Sequence, residues 1–238
     1  MTARIVTTYF PDERGKTGYD RMLMAFAASV RSNSSLPLEV IRPKCLPKGK
    51  SSRHKIDMNT HKLEAMAEYA MRTDGDILFL DCDMLVLSDP AEVFDVDFDA
   101  AYTVADYPRY PPFNGGFLAF RGYHGRVELY ALQEMNAKLH RDPELHEKYR
   151  AKYQGINQSA MGALFENGHV WQKFPMSTWN LCEPWPKEFS FPKILHCKAK
   201  LMRSCLAGEE SARWVKTWQG YEKTALGIGA KKLLGFSV

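Results

Sequence analysis

Between Ile77 and Leu87 the chain reads Ile-Leu-Phe-Leu-Asp-Cys-Asp-Met-Leu-Val-Leu, an apolar run broken by two carboxylates two positions apart. A fully buried strand rarely ends on paired acids without a cation for them to hold. In an extended segment residues i and i+2 point the same way, so Asp81 and Asp83 are expected to face one spot. Two hard oxygen ligands side by side suit magnesium or manganese, and such an ion suits a diphosphate. Read alone, Asp-x-Asp is equally a solvated strand end whose acids cap the next turn, so the surrounding elements have to decide.

Those elements alternate. Ala3 to Thr8 is a short β-branched strand, and Tyr19 to Ser32 carries Met22, Leu23, Phe26 and Val30 at helical spacing. Leu38 to Arg42 reads as a second strand, Asn59 to about Arg72 as a helix with Leu63, Met66 and Ala70 on one face, and Ile77 to Leu80 as the strand that delivers the aspartates. This β-α-β-α-β order predicts an α/β fold, a Rossmann-like unit with a mostly parallel central sheet flanked by helices. Ligands of open α/β sheets bind beyond the carboxyl ends of the strands, where Thr7, Thr8, Tyr9, Asp81 and Asp83 fall. The second half is less regular. Ala100 to Val104 and Gly116 to Arg121 read as strands, Tyr123 to Leu139 and Asn157 to Glu166 as helices, Pro175 to Pro192 as an ordered loop, Lys193 to His196 as a strand and Glu209 to Lys223 as a final helix. No repeat or linker divides the 238 residues, so one domain is expected, with a regular half over residues 1–105 and a less regular half over 106–238.

Charge is informative by its distribution. Ten acids and no Lys or Arg lie between Asp74 and Asp106, whereas Arg42 to Lys62 holds seven Lys or Arg against one acid. The acidic stretch fits a metal site and the basic one an anionic ligand, although a solvated surface loop has the same composition. The net charge of +4 is too small to imply nucleic acid by itself. Five cysteines with neither zinc-finger nor redox spacing, no apolar run near the roughly 20 residues of a membrane helix, and a first strand that begins at once predict a cytoplasmic protein.

Together the motifs resemble the GT-A glycosyltransferases, notably the glycogenin and bacterial galactosyltransferase group. The Asp81-Cys82-Asp83 strand end is followed by Pro112-Phe113-Asn114-Gly115-Gly116-Phe117, by Ile156-Asn157-Gln158-Ser159 at a helix start, by Trp179-Asn180, and by Ile194-Leu195-His196. The resemblance implies a nucleotide-sugar donor, metal ligation by Asp81, Asp83 and the late His196, and a second contact from Asp81 toward the ribose. A nitrogen ligand favours manganese over magnesium. It implies nucleotide contacts from Thr7, Thr8, Tyr9 and Lys62, and sugar contacts from Asp106, Asn114, Gly115, Gly116 and Gln158. The family continues after the histidine with a glycine and Lys-Pro-Trp. Here Cys197-Lys198-Ala199-Lys200 departs from that pattern, so Lys198 and Lys200 are both candidates for the diphosphate. Gln158 matches the amide that retaining members place near the anomeric carbon, with Asn157 replacing an acid, and retention is the expected outcome. An inverting enzyme would instead need a base such as Glu183 or Glu188 beside the acceptor.

On base rates the donor is expected to be a UDP-hexose. Trp179, Asn180 and Glu183 are placed on the acceptor side. The acceptor itself, whether glycan, lipid-linked, protein or nucleic acid with modified bases, is open. The final helix, with Trp214, Trp218 and Tyr221 beside Lys216 and Lys223, is expected either to pack on the domain or to touch a membrane surface. Two other readings compete. A haloacid-dehalogenase phosphatase also places Asp-x-Asp at a strand end, but its motif opens the chain and continues Gly-Thr, whereas here two β-α units precede Asp81 and Met84-Leu85 follow. A non-catalytic nucleotide-sugar-binding module would share the fold without turnover.

Overall fold

The computed structural model describes residues 2–11, 18–43, 52–105, 112–182, 192–207 and 213–235, with the backbone alone for 52–57, 156, 199 and 200. The chain order is β1 (Arg4–Thr8), α1 (Tyr19–Asn33), β2 (Leu38–Ile41), α2 (Ser52–Met71), β3 (Ile77–Leu80), β4 (Met84–Val86), a 3-10 turn (Pro90–Asp95), β5 (Ala100–Val104) and β6 (Phe113–Phe120). There follow α3 (Gly122–Arg141), α4 (Pro143–Tyr153), α5 (Ile156–Glu166), β7 (Gln172–Pro175), α6 (Met176–Trp179), β8 (Leu181–Cys182), β9 (Ile194–His196), α7 (Ala199–Ala207), α8 (Arg213–Ile228) and α9 (Ala230–Leu234).

Six strands form the central sheet in the order β2-β1-β3-β6-β5-β7. β1 runs parallel to β2 and β3, and β5 parallel to β7. β6 runs antiparallel to both β3 and β5 and so joins the two parallel sets. The uninterrupted apolar run of β3 is explained by its two covered faces. Ile77 and Phe79 pack with Leu63, Met66, Leu129, Met161 and Leu164 of α2, α3 and α5, while Leu78 and Leu80 pack with Leu23, Phe26 and Val30 of α1. β6 alternates in the same way, with Leu118 and Phe120 on the first side and Phe117 and Ala119 on the second.

A second, three-stranded sheet, β4-β9-β8, stands beyond the end of β3. It corrects the expectation of one extended segment carrying both acids. The Asp81 N–H still donates to the Gly116 carbonyl at 3.0 Å, but the Met84 N–H then turns back onto the Asp81 carbonyl at 3.2 Å and β4 enters the other sheet. Asp81-Cys82-Asp83 is therefore the turn between two sheets. The carboxylates converge because the chain bends around them, not through strand alternation.

The C-terminal aromatics pack inward. Trp218, Val215 and Cys205 close a cluster with Met22 and Ala25 of α1, and the Tyr221 hydroxyl accepts from Asn33 Nδ2 at 2.5 Å. No helix among the described residues is long and apolar enough to cross a membrane.

Candidate metal and nucleotide site

Three segments meet where the two sheets part. β3 brings Asp81, the turn brings Asp83, and β9 brings His196, whose register partner is Met84 on β4. The Cys197 N–H donates to the Asp83 carbonyl at 2.8 Å, tying β9 to the turn. Ligand atoms of Asp81, Asp83 and His196 lie within 4.8 Å of one another. His196 is fully buried; its Nε2 is 3.2 Å from Asp83 Oδ1 and 3.8 Å from Asp81 Oδ2, yet has no aligned hydrogen-bond partner among the described residues. Two carboxylates facing a buried ring nitrogen call for positive charge between them, which either the protonated ring or a bound cation supplies. The donor set of two carboxylate oxygens and one imidazole nitrogen fits a divalent cation such as manganese.

The electrostatics carry the same demand. Burial of His196 works against its charged form, but the negative charge of Asp83 outweighs it and pushes the pKa up to about 9. Burial works against the charged form of Asp81 as well, but the positive charges of Lys62, His196 and Lys198 outweigh it, holding its carboxyl below the usual range. The Lys62 ammonium is ion-paired directly with Asp81 Oδ1. Burial, together with the charges of Asp83 and Asp81, pushes the Cys82 thiol well up, which removes it as a nucleophile.

Gly116 explains why the Asn-Gly-Gly strand opening belongs here. A β-carbon at Gly116 would come within 2.7 Å of His196 Cε1, 2.7 Å of Met84 Cε and 2.8 Å of Asp81 Oδ2, so only glycine lets β6 lie under the triad. Gly115 is not so confined, its nearest neighbour being Asn157 Cβ at 3.4 Å. Asn114 is turned inward: its Oδ1 accepts from the Gly116 N–H at 2.8 Å and its Nδ2 faces Cys182 Sγ at 3.9 Å.

A cavity of about 360 Å³ opens over the triad, lined by Thr8, Tyr9, Phe10, Tyr19, Met58, Asn59, Lys62, Asp81, Cys82, Asp83, Gln158 and Lys198. Of the residues expected at the nucleotide, Thr8, Tyr9, Lys62, Asp81 and Lys198 thus share one wall. Thr7 is wholly buried and is not part of that wall. Tyr9 is nearly buried too: its hydroxyl donates to Asp20 and the Arg42 guanidinium lies 5.9 Å from its ring centroid. Gln158, on the first turn of α5, reaches the cavity over Gly155, where a side chain would collide with it. Asn157 is buried beneath Gly115 with Oδ1 unpartnered among the described residues. Trp179 is buried against Phe117 and Phe174, and Asn180, wholly buried, accepts from His196 Nδ1 at 2.9 Å. Asp106, Glu183, Glu188 and the Lys200 side chain lie outside the described residues. Phe10, Tyr19, Met58 and Asn59 escape sequence reasoning because aromatic, thioether and amide side chains outside motifs carry no signal there.

No protein-family model matches the sequence, and no curated protein matches it either. Solved structures do. The glycosyltransferase GlyE of Streptococcus pneumoniae TIGR4 aligns over 95% of this chain with a TM-score of 0.61 at 16% identity. The galactosyltransferase LgtC, solved with donor and acceptor sugar analogues, aligns over 93% of this chain and 95% of its own with a TM-score of 0.60 at 13% identity. The chain has the GT-A glycosyltransferase fold. A glycosyltransferase involved in glycosylating the major capsid of PBCV-1 shares it, with a TM-score of 0.56 at 12% identity over 94% of this chain and 100% of its own. This chain spans 63% of the length of GlyE. Identities this low establish the fold; the chemistry has to be argued from the triad and the cavity.

Proposed function

We propose that the protein is a metal-dependent glycosyltransferase that moves a hexose from a nucleotide-diphosphate sugar, most simply a UDP-hexose, to an acceptor. The observation that carries this reading is the convergence of Asp81, Asp83 and the buried His196 Nε2 within 4.8 Å, with both carboxylates lining a cavity that has two lysines on its wall. Asp81, Asp83 and His196 would hold the cation, manganese in preference to magnesium given the nitrogen ligand. When bound, such an ion takes up the negative charge that develops on a departing diphosphate.

The remaining work falls to side chains of the chain itself. Lys62 and Lys198 line the cavity beside the triad and would pair with the diphosphate oxygens. Lys200 remains the other candidate for that contact. Thr8 and Tyr9 sit at the end of β1, where base and ribose would lie, with Thr7 behind them. Asn114 accepts from the Gly116 N–H and so fixes the strand opening over which the sugar would lie. Gln158 lines the cavity and would be the amide beside the reacting carbon in a retaining reaction, with Asp106 as the expected sugar contact and Glu183 on the acceptor side. Among the described residues Cys82, Cys182 and Cys205 are buried free thiols, which suits a reducing, cytoplasmic setting. Any peripheral membrane contact would fall to the exposed Lys216 and Lys223 of α8, because Trp218 is buried.

A thermal-shift screen of nucleoside diphosphates and their sugars, with and without manganese, tests the proposal. A ligand at one hundred times its dissociation constant adds about 2.7 kcal/mol, or roughly 5–10 °C for a chain of this size. A manganese-dependent shift with UDP is expected. No shift with any nucleotide, but one with magnesium and a phosphate mimic, would return the haloacid-dehalogenase reading.

A further inference from the structure

Asn180 stands behind the triad, not in front of it. The turn of helix in α6 ends with the Asn180 N–H on the Met176 carbonyl at 3.0 Å, and Trp179 wedges that turn against Phe117 and Phe174. The Asn180 side chain then bridges two buried groups. Its Nδ2 donates to Thr103 Oγ1 on β5 at 2.9 Å, and its Oδ1 lies 2.9 Å from His196 Nδ1. Cys182 Sγ lies nearby, 3.4 Å from the Asn180 backbone carbonyl, the closer acceptor for its one proton, and 3.8 Å from Oδ1, so His196 Nδ1 is the principal partner of the oxygen end. Asn180, Thr103 and His196 are all fully buried, and no solvent competes for these bonds.

A histidine has two nitrogens, and the bond made by one decides what the other can do. An acceptor oxygen at Nδ1 calls for a proton on Nδ1. A neutral ring then carries its lone pair on Nε2, the atom that faces Asp81 and Asp83. We propose that Asn180 is the positioning residue of the metal centre, fixing His196 in the Nδ1–H tautomer so that Nε2 is offered to the cation, with Thr103 anchoring the far end of the Asn180 amide. The inference rests on the metal-dependent reading above and adds to it a residue that touches neither substrate nor metal. It also gives the Trp-Asn pair a physical reason: the tryptophan anchors the turn, and the asparagine orients the ligand.

The test is manganese binding to the purified protein, read from the loss of the free-ion paramagnetic resonance signal, for wild type, Asn180→Ala, Asn180→Asp and Thr103→Val. Losing the partner of a metal-bound histidine typically costs 10–100-fold in metal affinity. A weakening of about that size is expected for Asn180→Ala, a smaller one for Thr103→Val, and affinity near wild type for Asn180→Asp, whose carboxylate still accepts from Nδ1. In the cobalt(II)-substituted protein, wild type and Asn180→Asp should show a strongly shifted, solvent-exchangeable Nδ1–H proton resonance that is lost in Asn180→Ala. A merely structural role would lower the melting temperature of all three variants without sorting them by the acceptor at Nδ1. Equal affinity in Asn180→Ala and wild type overturns the proposal, as does equal weakening in Asn180→Ala and Asn180→Asp. If Asn180→Ala does not fold, Asn180→Asp and Thr103→Val decide alone. Absence of manganese binding by the wild type would overturn the metal-centre reading on which this rests, a result distinct from the other two.

Discussion

Replacing Gly116 by alanine adds one carbon beneath the triad. Its ideal position is 2.7 Å from His196 Cε1 and Met84 Cε and 2.8 Å from Asp81 Oδ2, whereas ordinary contact begins at 3.4 Å. The Met84 methyl can swing aside, and Asp81 can rotate toward the cavity. The His196 ring has less freedom, because it is fully buried and held from behind by Asn180 at 2.9 Å. It must retreat by about 0.7 Å, beyond the roughly 0.2 Å tolerance of a ligand distance. Overpacking of this kind costs about 1–3 kcal/mol, and a glycine-to-alanine change within a strand returns roughly 0.5–1 kcal/mol, so folding should weaken by no more than about 2.5 kcal/mol. Manganese affinity should fall as well, by the roughly 10–100-fold seen when a ligand's support is lost, about 1.4–2.7 kcal/mol. Gly115→Ala is the control, since its β-carbon would meet Asn157 Cβ at 3.4 Å, ordinary contact. The assay pairs thermal melting of the metal-free protein with manganese titration of all three proteins. Wild-type affinity in Gly116→Ala, or an equal loss in Gly115→Ala, would refute the reasoning.

The remaining predictions concern charge. His196 has its pKa raised from 6.5 to about 9 in the metal-free protein, so it contributes stability that is fully present below pH 6.5 and is lost as pH rises through 9. Melting temperatures of the metal-free protein should therefore decline over that window. Saturating manganese should remove the decline, because a metal-bound imidazole carries no proton on the ligating nitrogen, and an undiminished decline in His196→Gln would contradict the assignment. Lys62 is ion-paired with Asp81 and competes there with a cation. Lys62→Met should tighten manganese binding without nucleotide by about fivefold, on the order of 1 kcal/mol for a partly exposed pair, and weaken the gain in affinity that UDP confers. Calorimetric titration with and without UDP separates the two effects, and an unchanged manganese affinity would show that the pair does not compete.

Much of this architecture was legible in the chain because each element declared itself locally. The four apolar residues of β3, the helical stripe of α1 and the run Ala100 to Val104 all fold as their patterns predict. The helix α4 was not foreseen, since it has no broad apolar stripe; its signal was a cap, with Asp142 accepting from the Leu145 N–H at 3.0 Å and Pro143 in the first turn. α2 begins at Ser52, seven residues before the expected Asn59, because the basic sequence there gave no periodic start. The second sheet was hidden for a different reason. β9 lies within the strand expected over Lys193 to His196, but its partners β4 and β8 are three and two residues long, too short for any period to show. The triad was nonetheless readable as residue types. What could not be read was the arrangement that depends on three distant segments meeting: Asp81 and Asp83 flanking a turn, Gly116 beneath them, and Asn180 behind His196 instead of beside an acceptor.

The central claim is that Asp81, Asp83 and His196 hold one divalent cation that in turn holds a diphosphate. Manganese titration followed by the free-ion resonance signal, in the presence of UDP, tests it most directly in wild type and Asp83→Ala. The account predicts one ion bound per wild-type chain, tightened by UDP, and none bound by the variant at the same concentrations. Equal binding by both proteins, or wild-type binding that UDP leaves unchanged, would contradict it.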